Sequence, residues 1–257
     1  MSRVMAVAFN TYREAVRDRV LYNLIVFALL IVGSALLFGQ ISLEIERIVL
    51  INMGLTAISI FGIVISIFVG ISLVWKEIER KTIYTVLAHP VRRWEFIFGK
   101  FLGLFGTLTF NALLMAIGFF AALLYLSHHF TRPDLYILAA IYFILLQLMM
   151  MTALAMLFST YSSPLMSSIF AFATFAIGTF SEDLHNFAAT ANGVAKLVMT
   201  GVAYVVPNFS SLNLISQVAH GVPVDPALII HNTVYAVTYT AVALLCSAAI
   251  FENRNFK

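Results

Sequence analysis

Residues 48–75 contain no Asp, Glu, Lys, Arg or His, and this one run decides what solvent the chain can fold in. It exceeds the roughly 20 residues that a helix needs to cross a hydrocarbon core of about 30 Å. Residues 20–39, 101–126, 135–159 and 164–180 are likewise free of those groups, and a sixth run, from about 226 to 251, carries only His231. Backbone in lipid must satisfy its own N–H and C=O groups, so such runs read as helices. With 61% hydrophobic and 11% charged residues, a soluble domain is excluded. The expected fold is an all-α integral membrane protein with six transmembrane helices, built as a single transmembrane domain over residues 1–257. Pro164 suits the first turn of the fifth helix, where its missing N–H costs little.

Lys and Arg placement gives the orientation. With the N-terminus inside, twelve of the fifteen fall in cytoplasmic segments, leaving Arg47, Arg132 and Lys196 outside. Basic residues concentrate on the cytoplasmic side of membrane proteins, so both termini are expected there, in the cell's inner membrane. The net charge of +3 then reports topology, not a nucleic-acid surface. Residues 186–206 are apolar apart from Lys196. A seventh span here would export Arg254 and Lys257 and place Lys196 mid-bilayer, so the segment is expected as an outer re-entrant or interfacial helix pair. Pro207, Pro223 and Pro226 punctuate the return to the last span. The first apolar run is too long for a signal-peptide core, so insertion without cleavage is expected.

Residues 3–19 have the pattern of an amphipathic helix on the inner surface. Met5, Ala8, Phe9, Tyr12, Val16 and Val20 share one face, and Asn10, Arg13, Glu14, Arg17 and Asp18 the other. The lone Cys246 excludes a disulfide framework and reads as a small core residue. Gly62, Ser66 and Gly70, and then Gly99, Gly103 and Thr107, recur every four residues and predict close helix contacts, within one subunit in preference to a dimer seam.

The missing chemistry is informative. Ion-coupled transporters carry ionisable groups at membrane depth, and these spans have none. No phosphate-binding G-x-x-x-x-G-K-[ST] loop is present, so energy for transport would enter from a partner. Gly-x-Ser-x-Gly and His-Glu-x-x-His are missing, and no catalytic residue is assigned. His128, His129, His185, His220 and His231 fall on the expected outer side, yet their spacings match no ligand motif, and they read as solvated, with no metal site. Met149, Met150 and Met151 point in different directions around a helix and read as filler. Ser159, Thr160, Ser162, Ser163, Ser167 and Ser168 satisfy backbone near Pro164 in preference to lining a path.

Residues 76–100, KEIERKTIYTVLAHPVRRWEFIFGK, hold Lys76, Arg80, Lys81, Arg92, Arg93 and Lys100 between the second and third spans. The pattern predicts that 76–88 prolong the second span as a charged helix, which His89-Pro90 breaks. A short amphipathic helix over 91–98 follows, with Arg92, Arg93 and Glu95 polar and Val91, Trp94 and Phe98 apolar. It is the one large cytoplasmic surface on which a partner can act.

The run Glu77-x-Glu79-x-x-Thr82, Leu87-x-x-Pro90-x-x-Arg93-Trp94-Glu95, Gly99-Lys100 resembles the signature of ABC-2 type transporter permeases. In that family it forms a coupling helix that enters a cleft on the ATP-hydrolysing subunit. The resemblance extends to the N-terminal interfacial helix, six spans, an outer re-entrant segment and a closing Phe251-x-x-Arg254-Asn255-Phe256. Lys81 and Asn255 depart from the family's frequent Gly and Asp. The layout looks most like the branch linked to multicopper-enzyme maturation. What the resemblance implies is a permease subunit of an exporter, not itself an enzyme, paired with a second copy or paralogue and with a P-loop ATPase that holds ATP and Mg. ATPase docking then falls to Glu77, Glu79, Thr82, Pro90, Arg92, Arg93, Trp94 and Glu95. The competing expectations are a membrane scaffold or signalling subunit and, behind it, a secondary transporter.

Overall fold

The structure, a computed structural model, describes residues 3–17, 46–79, 93–127, 134–183 and 193–253, together with Tyr22, Val26, Leu29, Leu30, Gly33, Ser34 and Phe187. Among the described residues every regular element is helical: α1 (Arg3–Val16), α2 (Glu46–Glu79), α3 (Arg93–Ser127), α4 (Leu135–Tyr161), α5 (Pro164–Thr179), α6 (Val194–Val205), α7 (Ile215–Ala219) and α8 (Pro226–Asn253), with a 3-10 turn at Ser210–Leu212. Four are long and apolar enough to cross a membrane, over Glu46–Ser72, Trp94–Leu126, Leu135–Tyr161 and Pro226–Glu252. The expected first span lies mostly outside the described residues, although Leu29 from it packs on Gly118 of α3. The fifth helix has 16 residues, about 24 Å at 1.5 Å per residue, and is short of a full hydrocarbon core.

Helix α4 is the centre of the bundle and packs against α2, α3, α5 and α8. Met150, Met151, Ala153, Ala155 and Met156 along it are inaccessible. Its seam with α2 is built from small and hydroxyl side chains. Ser59 donates to the Gln147 amide oxygen at 3.2 Å, Ser66 and Thr152 hydroxyls lie 3.0 Å apart, and Ser159 donates to the Ile71 carbonyl at 3.3 Å. Between them a Cβ on Gly62 would fall 2.9 Å from the Leu148 side chain, and one on Gly70 would fall 3.2 Å from the Ala155 Cβ. With little hydrophobic drive between helices in lipid, close approach and cross-helix hydrogen bonds hold such a seam. The expected intrasubunit packing of Gly62, Ser66 and Gly70 is therefore found, with α4 as the partner.

Helix directions follow from contacts at the ends. Arg47 pairs with Asp134 at the starts of α2 and α4, and Tyr142 meets Thr233 at 2.9 Å near the starts of α4 and α8. Those three helices run one way. Phe96 at the start of α3 stacks on Phe251 at the end of α8, with centroids 5.9 Å apart, so α3 runs the other way. The hydroxyls around Pro164 satisfy backbone: Ser162 donates to Phe158, Thr160 to Leu157, Ser167 to Ser163 and Ser168 to Pro164.

Residues 205–211 return alongside α8. Tyr239 donates to the Val205 carbonyl at 3.0 Å, the Asn208 amide donates to the Tyr235 hydroxyl at 2.8 Å, and Asn232 donates to the Ser211 carbonyl at 2.9 Å. The partners step back along α8 toward Pro226 as the chain advances, so this segment runs against it. Helix α6, with 12 residues, is about 18 Å long and cannot cross a membrane alone.

One expectation is corrected. Cys246 is exposed on α8, beside exposed Val242 and Leu245, and is not a core residue. Helix α1 leaves Met5 and Phe9 53% exposed and docks on α3 through Ala8, Thr11 and Ala15, which are buried. The reason is steric. Gly99 and Gly103 open a groove on α3 that admits only small side chains, and a Cβ on Gly99 would lie 2.7 Å from the Val7 Cβ.

Candidate functional site

Residues 76–100 begin in α2 and end in α3. Helix α2 continues unbroken past the apolar run to Glu79, and Glu77 and Glu79 lie in its last turns. Helix α3 starts at Arg93 and places Trp94 and Glu95 in its first turn. Thr82, Pro90 and Arg92 lie outside the described residues. The ends of α2, α4 and α8 and the starts of α3 and α5 form one end of the bundle.

The short amphipathic helix expected over 91–98 is not separate from the third span. Arg93–Ser127 is one helix of 35 residues. Nothing interrupts it, because Gly99, the one weak helix former near the boundary, is held by α1. Phe96 and Ile97 are buried, whereas Trp94 is 47% exposed and touches Phe98 edge-on at 6.3 Å. A partly exposed Trp beside basic residues is characteristic of the membrane–water boundary.

The start of α3 is anchored on two sides. Phe96 stacks on Phe251 of α8. Lys100 is only 1% exposed; its ammonium lies 3.8 Å from the Glu14 carboxylate of α1 and 5.7 Å from the Phe96 ring centroid. Burying an ammonium is costly unless a counter-charge and a polarisable surface face it, and Glu14 and Phe96 supply both. On the adjoining face, Gly103 receives Ala8 and Thr11 of α1, and Tyr12 meets Phe110 with centroids 6.5 Å apart. A displacement of Arg93–Glu95 therefore reaches α1 and α8 directly, through packed contacts.

Sequence reasoning placed Lys100 in the solvated loop and did not connect it to Glu14. Only the change of helical face after Gly99 hinted at its burial. Gln147, buried in the α2 seam, was also missed; a lone amide in an apolar run was the available signal. Among the described residues no group of three His, Cys, Asp or Glu is placed to hold a metal ion.

Long apolar helices, polar groups paired across helix seams and an amphipathic helix at one end define a polytopic helical membrane protein. The family model described as ABC-2 family transporter protein matches residues 5–256, so the chain belongs to that family. ABC-2 permeases are membrane transport subunits that work with an ATPase partner. No curated protein matches the chain.

Proposed function

We propose that the chain is the permease subunit of an ATP-driven exporter. It crosses the inner membrane six times with both termini cytoplasmic, carries α1 as an interfacial helix, and holds α6 with the return segment as an outer re-entrant pair. It works with a second permease copy or paralogue and with P-loop ATPases that bind ATP and Mg. The apolar outer face of α5, where Leu165, Ile169 and Phe172 are exposed, offers surface for the second permease. The observation that carries the reading is the unbroken passage of α2 to Glu79 and of α3 from Arg93, with the basic segment between them. A partner gripping that segment pushes on two spans through rigid helices.

In this reading Arg92 and Arg93 pair with acidic groups on the ATPase, Trp94 and Glu95 set the contact at the membrane boundary, and Glu77, Glu79, Thr82 and Pro90 shape the approach. Pull-down of the tagged chain in mild detergent is expected to recover a P-loop ATPase. Arg92→Glu with Arg93→Glu is expected to lose it, or its stimulated hydrolysis, while membrane insertion is kept. Undiminished stimulated hydrolysis in that variant would overturn the assignment.

A further inference from the structure

We propose that the exposed side of α1 is a binding site for the headgroup phosphate of an anionic phospholipid, held by Asn10, Arg13 and Arg17. These residues, with Glu14, line a crevice of about 740 Å³, ample for a phosphate and its substituent. Asn10, Arg13 and Arg17 are spaced three and four residues apart and so share one stripe of helical chain.

Charge decides the ligand's sign. Among the described residues Glu14 is the one carboxylate lining the crevice, and the buried Lys100 ammonium 3.8 Å away offsets it from beneath. Arg13 and Arg17 make no ion pair among the described residues. Two guanidiniums therefore face the opening, with an amide that donates beside them. Planar guanidinium forks match phosphate oxygens in pairs, which an ammonium does not.

The surroundings make the source a lipid. Met5 and Phe9 project outward from the same helix, each 53% exposed, and the Arg13 guanidinium sits 5.4 Å from the Phe9 ring centroid. Apolar side chains exposed on such an amphipathic helix belong at the acyl boundary, and guanidiniums snorkel from there to the phosphates. An acidic protein surface would explain the arginines and leave Met5 and Phe9 in water. A phosphocholine headgroup brings its own cation, which Arg13 and Arg17 repel, so an anionic headgroup is preferred.

Native mass spectrometry of the full chain in mild detergent, titrated with phosphatidylglycerol or phosphatidylcholine, tests this. Retention of phosphatidylglycerol is expected to exceed that of phosphatidylcholine. Arg13→Gln with Arg17→Gln is expected to weaken phosphatidylglycerol binding about 30-fold, from about 1 kcal/mol for each basic group near an anionic surface. Arg13→Lys with Arg17→Lys should keep most of the preference and controls for folding. Should the Gln variant fail to insert, the wild-type chain decides: high salt should erase the preference for phosphatidylglycerol. Equal retention of the two lipids, or a preference unchanged by salt, overturns the proposal. So does full displacement by millimolar inorganic phosphate, which would make this a site for free anions. Loss of ATPase co-purification with lipid binding intact would make it a protein contact and equally overturn it.

Discussion

At the scale of single residues, the glycines of α3 show how narrowly the α1 groove is fitted. A Cβ at Gly103 would fall 2.7 Å from the Thr11 Cβ and closer still to the Ala8 carbonyl oxygen, which is backbone and cannot swing aside. A Cβ at Gly106, one turn away, would meet only the Tyr12 ring edge at 3.8 Å, an ordinary contact. Gly103→Ala should therefore destabilise by about 1–3 kcal/mol through overpacking. Gly106→Ala should be neutral or slightly stabilising, because Ala is the better helix former. Thermal unfolding of the two variants side by side in one detergent checks this; equal midpoints would mean that α1 does not sit in the groove. Lys100 lies on the adjoining turn, and its pairing with Glu14 requires α1 to stay docked.

At the scale of elements, the α2–α4 seam should behave as a set of weak, local contributions. The Ser66–Thr152 contact joins two hydroxyls of which Thr152 also donates to the Leu148 carbonyl at 2.7 Å. A double-mutant cycle of Ser66→Ala and Thr152→Ala should give a coupling of about 0.6 kcal/mol, the usual size for cross-helix hydrogen bonds in membranes. Unfolding in denaturant and detergent measures it, and a coupling several times larger would mean that the hydroxyls anchor the seam. These same elements show what was legible in the sequence. Charge-free length disclosed the helices α2, α3, α4 and α8, and four-residue spacing disclosed both small-residue stripes. Spacing names no partner, so nothing in the run of α3 said that Gly99 and Gly103 receive α1 while Gly62 and Gly70 receive α4. The docking of α1 on α3 was not legible, because amphipathicity locates apolar residues, whereas glycine grooves select small ones. At the candidate site, the continuation of the second span into Glu77 and Glu79 was legible from the pattern. The merger of 93–98 with the third span was not, since Gly99 reads as a weakness until α1 covers it.

At the scale of the whole molecule, the bundle gathers most of its described Lys and Arg at one end. The ends of α2 and α8 and the start of α3 meet there, as Phe96 on Phe251 fixes, and α1 docks beside them with Arg13 and Arg17. Arg47 lies at the opposite end, already paired with Asp134. In the proposed reading, a nucleotide-driven partner reaches the basic end from the compartment that holds ATP. The charge rule selects the same side, since twelve of the fifteen Lys and Arg then stay in the cytoplasm. The orientation is checked on a Cys246→Ser background, which removes the single native thiol. Ser127→Cys, at the end of α3 opposite the basic segment, should react with a membrane-impermeant maleimide in intact cells. Asn253→Cys, at the end of α8 near Phe251, should react only after the membrane is opened. The reverse pattern would put the basic end outside, out of reach of ATP, and with it any coupling through residues 80–92 would be lost.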